Sequence, residues 1–233
     1  MTKKPFFMII IVALLPALLS ACDKTPQPPM VFGASAWPGY EPVYLARELG
    51  YFPGANLRLV EYAGAAEVEQ AFRNRSVQLA ALTLDKALLL RRDIPEMKII
   101  LLFDAEAAGA PISGKRMDVL VTRDEDIGQY HQEMQLLLQG WRHALDYMHS
   151  DPSKAGQIMA HHEHITPAQF NLALQGIELY GWQRNQQLMI GEPPPIGDAI
   201  EAAQRVLLDQ GMLNMGVDPS MMLDSTLLAE TAK

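Results

Sequence analysis

Between residues 30 and 121 the sequence alternates short apolar runs with amphipathic segments, and this order restricts the fold more than any other feature. "MVFGAS", "NLRLVEY", "VQLAAL" and "MKIILLF" read as strands. Between them, "EPVYLARELGYF", "AAEVEQAFRNRS" and "LDKALLLRR" carry apolar residues at helical spacing. Strand and helix in strict succession predict a mostly parallel sheet covered by helices. Pro42 suits the first turn of its helix, where no backbone donor is needed, and Gly50 suits its end. Thr83 is predicted to cap the helix that follows the third strand. After "MDVLV" the pattern changes: Ile127 to Met148 recurs at helical spacing for about six turns. "DPSKAGQIMAHH", "TPAQFNLALQGI" and "GDAIEAAQRVLLDQGML" give further helices, so the C-terminal half is helix-rich. Thr166 and Gln169 fit a capping box.

The first 21 residues stand apart. Lys3 and Lys4, the apolar "FFMIIIVALLPALL" and the small residues of "LSAC" have the order of a secretory signal. Cys22 is the single cysteine, so it forms no internal disulfide, and Leu19-Ser20-Ala21-Cys22 resembles a lipobox whose cysteine is acylated. Asp23 resembles an inner-membrane retention signal. The expectation is a palmitate-type anchor on Cys22 that holds the protein at the periplasmic side of a bacterial inner membrane. "DKTPQPPM" reads as a proline-rich tether over residues 22–29, with one domain over 30–233. Without Lys3 and Lys4 the chain carries 17 basic against 27 acidic residues, a net of −10, which argues against nucleic acid as partner.

No serine elbow, phosphate-binding glycine loop or metalloprotease helix is present, so no enzymatic activity and no cofactor are expected. "HHEH", His161 to His164, reads as a solvated helix end and not a metal site, because adjacent helical residues point apart. The scattered methionines read as core filler.

"WPGYEPVYLARELGYF", "GAAEVEQAFRNRSVQLAALTLDKALLL", "KIILLFD", "MDVLVTRDEDI" and "ITPAQFNLALQGI" together resemble the periplasmic substrate-binding proteins of ABC importers, in the branch for aliphatic sulfonates, taurine, nitrate and thiamine pyrimidines. The resemblance implies one lobe of a type II periplasmic-binding-protein-like fold, whose family partner lobe is absent between Asp104 and Met117. "DAEAAGAPISGKR" then bridges the two strands that the lobe would separate. The implied function is non-covalent capture of a small anionic or nitrogen- or sulfur-containing solute for an ABC permease. The alternative is a one-lobed adaptor or sensory lipoprotein that contacts a membrane protein.

The candidate ligand-binding residues are Trp37, Gly39, Tyr40, Thr83, Asp85 and Asp104. Trp37, Gly39 and Tyr40 follow the first strand, where doubly wound sheets place ligands and the next helix N-terminus favours an anion. Thr83 offers a hydroxyl at a strand-to-helix turn, where Asp85 adds a charge to the first helical turn. Asp104 ends the fourth strand. After it the family's polar residues are replaced by "AEAAGAP".

Overall fold

The computed structural model describes residues 27–107 and 116–230. The signal segment, Cys22 with most of its tether, and the centre of the bridge after Asp104 lie outside the described residues. In chain order the elements are β1 (Met30–Ser35), α1 (Glu41–Glu48), β2 (Leu57–Tyr62), α2 (Ala65–Arg73), β3 (Leu79–Thr83), α3 (Leu84–Asp93), β4 (Met97–Glu106) and β5 (Met117–Arg123). Then come α4 (Asp124–Gln129), α5 (His131–Ser150), α6 (Pro152–His162), α7 (Pro167–Leu174), β6 (Ile177–Leu179), α8 (Trp182–Met189) and α9 (Gly197–Asp209). A 3₁₀ turn at Pro219–Met222 and α10 (Thr226–Glu230) close the described chain.

The predicted alternation is present, but the sheet is mixed. Its order is β2-β1-β3-β5-β4-β6. β2, β1 and β3 pair in parallel, β5 runs antiparallel to both β3 and β4, and β6 is antiparallel to β4. The first four strands therefore share one direction, while β5 and β6 oppose it. β4 does not lie beside β3, because β5 is inserted between them. Ten residues, 107–116, separate β4 from β5, and so short a connection joins antiparallel neighbours more readily than the crossover a parallel pair needs.

Every residue of β5 is buried, as is nearly all of β4, which explains why both read as continuous apolar runs. β2 is an edge strand and only half buried. Phe32, Phe72, Phe103 and Trp141 belong to the main core, where Phe103 meets Tyr40 and Trp141 edge-on. A smaller core of Leu45, Ala46, Ala144, Ala155, Met159 and Phe170 joins α1, α5, α6 and α7.

Local signals mostly have their expected outcomes. Pro42 lies in the first turn of α1, and Gly50 follows that helix with φ of +73°. The Thr166–Gln169 capping box is formed. Three readings differ. Thr83 occupies the N-cap position of α3, yet its side chain makes no capping hydrogen bond. The long C-terminal helix is divided at Tyr130, whose φ of −115° interrupts it between α4 and α5. The helix expected over "TPAQFNLALQGI" stops at Leu174, and Ile177, its predicted last residue, instead opens a short strand, Ile177–Leu179, that pairs with Asp104–Glu106.

Candidate functional site

The C-terminal ends of β1 and β4 meet the N-terminal end of β5, and a polar cluster is built where they converge. β1 ends at Ser35, and the turn after it carries Trp37, Gly39 and Tyr40. Asp104 on β4 faces Asp118 on β5 as a paired position, and Thr83 at the end of β3 is paired with Asp118 from the other side. Because β5 runs against its neighbours, its first residues arrive at the same rim as the last residues of β3 and β4.

Inside the cluster, Trp37 Nε1–H donates to Asp104 Oδ2 at 3.1 Å. The Tyr40 hydroxyl donates to Asp118 Oδ1. Arg116 Nε donates to Asp118 Oδ2 at 3.0 Å, and its guanidinium carbon lies 3.7 Å from the centre of the Trp37 ring. Asp118 is fully buried and Asp104 is 1% exposed, so both acids depend on these partners. Asp104 Oδ1 is buried and makes no hydrogen bond among the described residues.

The electrostatics follow from two carboxyl groups in one dry corner. Burial, and then the charge of Asp118, push the Asp104 carboxyl up to about 7. Burial and the neighbouring Asp118 also hold the Tyr40 phenol well above its ordinary range. Tyr40 therefore stays a hydrogen-bond donor throughout the physiological range.

Gly39 is required for space. Its φ is ordinary, but a Cβ built there would lie 1.8 Å from Asp104 Oδ2. The backbone has come into contact with the acid it helps to cover.

Of the six candidate residues, the structure gathers Trp37, Gly39, Tyr40 and Asp104, and strand register brings Thr83 alongside. Asp85 is exposed on the first turn of α3. Sequence reasoning missed Asp118 and Arg116. The available signal was an acid inside the buried run "MDVLV", where a charge needs a partner.

A second polar grouping lies on the other side of α1. Glu41 is fully buried, and its carboxylate accepts from His162 Nδ1 at 3.0 Å. The His162 ring stacks on Tyr44 at 4.3 Å between centroids. His162 is thus packed, contrary to the reading of "HHEH" as a solvated helix end, because α6 delivers it against α1.

No family model matches the chain, and no curated protein matches it. Solved structures do. A ligand-binding component of an ABC-type import system from Staphylococcus aureus, solved with zinc bound, superposes with a TM-score of 0.68 at 12% identity, covering 88% of this chain and 99% of that one. The alkanesulfonate-binding protein SsuA from Xanthomonas axonopodis pv. citri, bound to MOPS, gives 0.63 at 8% identity, with coverage of 86% and 99%. A Candida albicans protein described as having the generic periplasmic binding protein fold gives 0.63 at 9% identity, with coverage of 86% and 97%. The chain has the fold of periplasmic binding proteins. Its structural neighbours include substrate-binding components of ABC-type importers. Among the described residues, no helix is long and apolar enough to cross a membrane.

Proposed function

We propose that this protein is a solute-binding component of an ABC-type uptake system, held at the periplasmic face of the inner membrane through an acylated Cys22. The observation that carries the reading is the cluster of Trp37, Tyr40, Asp104, Arg116 and Asp118 at the strand ends of a periplasmic-binding-protein fold. A solute would lie against Trp37 and Arg116 and exchange hydrogen bonds with the buried acid pair by displacing the groups that cover it. The inserted lobe of the resembling proteins is absent here, so capture relies on one face and is weak.

The chemistry narrows the solute class. Asp104 Oδ1 lacks a partner among the described residues, and the two carboxyl groups supply more acceptors than donors. The N-terminus of α1, a natural place for an anion, already carries the buried Glu41 carboxylate. A planar solute with N–H donors, of the aminopyrimidine kind, fits this surface better than a sulfonate or nitrate. A thermal-shift panel on the full chain tests this. An aminopyrimidine at millimolar concentration or below should stabilise the protein, and Trp37→Ala should abolish the shift. Stabilisation by taurine, an alkanesulfonate or nitrate alone would overturn the solute class.

One observation favours the adaptor reading: Arg116 already spends two of its donors on Asp118. A surface satisfied internally has less to offer a small molecule and could instead meet a membrane protein. That reading predicts no shift with any solute in the panel and co-purification of a membrane protein.

A further inference from the structure

We propose that His162 and Glu61, supported by Glu41, form a binding site for a divalent transition-metal cation of the zinc or manganese kind. This site is separate from the Trp37 cluster, and the inference stands whatever that cluster binds.

The geometry is that of a ligand held from behind. Glu41, fully buried at the start of α1, lies 3.0 and 3.1 Å from His162 Nδ1 through its two carboxylate oxygens. Nδ1 therefore carries a hydrogen, and in the neutral ring, the form a metal binds, the free lone pair is on Nε2. Nε2 lies 3.9 Å from Glu61 Oε2, near the end of β2. Two ligands about 2.1 Å from a tetrahedral ion stand about 3.4 Å apart, so a shift of about half an ångström in the exposed Glu61 side chain closes the pair on a cation. A carboxylate that fixes the tautomer and orientation of a metal-binding histidine is a recurrent arrangement. One oxygen or nitrogen from each of Glu41, Glu61 and His162 lies within 4.8 Å of the others. Imidazole with carboxylate suits zinc or manganese, whereas magnesium and calcium take oxygen ligands.

A second observation points to the same place. Tyr44 is 2% exposed, and its hydroxyl makes no hydrogen bond among the described residues. Its ring stacks on His162, and it lines the same cavity of about 680 Å³ as Glu61, His161, His162 and His164. A water on a bound cation would donate to this hydroxyl oxygen and give it the partner it lacks. Glu163 Oε1 is likewise buried without a partner among the described residues, beside the same histidine. Arg47 and Lys154 line the cavity and are the opposing charges. Three elements meet here: the start of α1, the end of β2 and the end of α6. An ion would tie the helical layer to the sheet's edge strand.

The test uses the full chain, freed of metal with a chelator and titrated with Zn²⁺ and with Mn²⁺ by calorimetry. We expect saturable binding of one equivalent and thermal stabilisation that grows with free metal. Glu61→Gln, on an exposed side chain that folding does not need, should weaken binding tenfold or more. His162→Gln should abolish it. His161→Ala and His164→Ala should leave it intact. Absence of saturable binding would overturn the assignment, as would full retention in Glu61→Gln. Equal binding of Mg²⁺ and Ca²⁺ would remove the imidazole from the ligand set, and loss confined to the His161 or His164 variants would assign binding to the histidine tract instead.

Discussion

Replacing Asp104 by asparagine tests the electrostatic core of the site. The carboxyl is pushed from its ordinary value of 3.8 up to about 7, first by burial and then by Asp118. For an acid whose folded-state value is raised, the associated stability is fully present below the unfolded value and is lost as pH rises through the folded one. The window is therefore about pH 4 to 7, and folding is least favoured above it. A rise from 3.8 to about 7 corresponds to about 4 kcal/mol of differential stability. Asparagine keeps an oxygen to accept from Trp37 Nε1 and removes the charge, but it retains a buried polar group. We expect a net gain of about 2 kcal/mol at pH 8 that shrinks by about 3 kcal/mol on going to pH 4.5, where the buried amide leaves the variant about 1 kcal/mol less stable than wild type. Glu41, His162 and Glu163 are also shifted upward and weaken the fold in the same direction as pH rises. The informative quantity is thus the difference between variant and wild type at each pH, from urea unfolding with linear extrapolation. A variant that is no more stable than wild type at pH 8, with a difference that does not change with pH, would refute the reasoning. Asp104 would then ionise without penalty.

Two further substitutions test packing and local structure. Gly39→Ala places a methyl group 1.8 Å from Asp104 Oδ2, so either the turn or the acid must move. It should cost about 1–3 kcal/mol in urea unfolding and disturb the fluorescence of the adjacent Trp37. Thr166→Ala removes the cap that accepts from the Gln169 amide and should cost about 1 kcal/mol, with no effect on solute or metal binding.

The parts of the fold legible in the sequence are those that local chemistry determines. Pro42, Gly50 and the Thr166–Gln169 box mark helix ends through backbone geometry and capping, and each occupies its expected place. Trp37, Gly39 and Tyr40 follow β1 and Asp104 lies among the last residues of β4, so their meeting at one rim could be read from the strand order. Asp118 was hidden by its surroundings. In "MDVLV" the apolar majority identifies a strand, and the one acid becomes meaningful only beside Tyr40, Arg116 and Asp104. The Glu41–His162 contact joins residues 121 positions apart, and no local pattern announces it. Thr83 shows the reverse error. Its position suits a cap, yet the strand register commits it to the sheet beside Asp118, and its side chain makes no capping bond.

The antiparallel turn from β4 into β5 connects these observations. Had β5 followed a helical crossover and run parallel to β4, position 118 would lie at the opposite end of the sheet from Trp37. Reversal brings Asp118 between Thr83 and Asp104 and sets Arg116 over the Trp37 ring. The pairing of β5 with β3 and β4, buried along its whole length, holds that arrangement. The length of the connection matters far less, because doubling a flexible loop costs only about 0.6 kcal/mol in closure entropy. The same two strands can therefore be joined by ten residues or by a much longer insertion without displacing the acid pair. The geometry at the rim belongs to the sheet, and under the proposed function what would vary with the insertion is how much of a bound solute is covered.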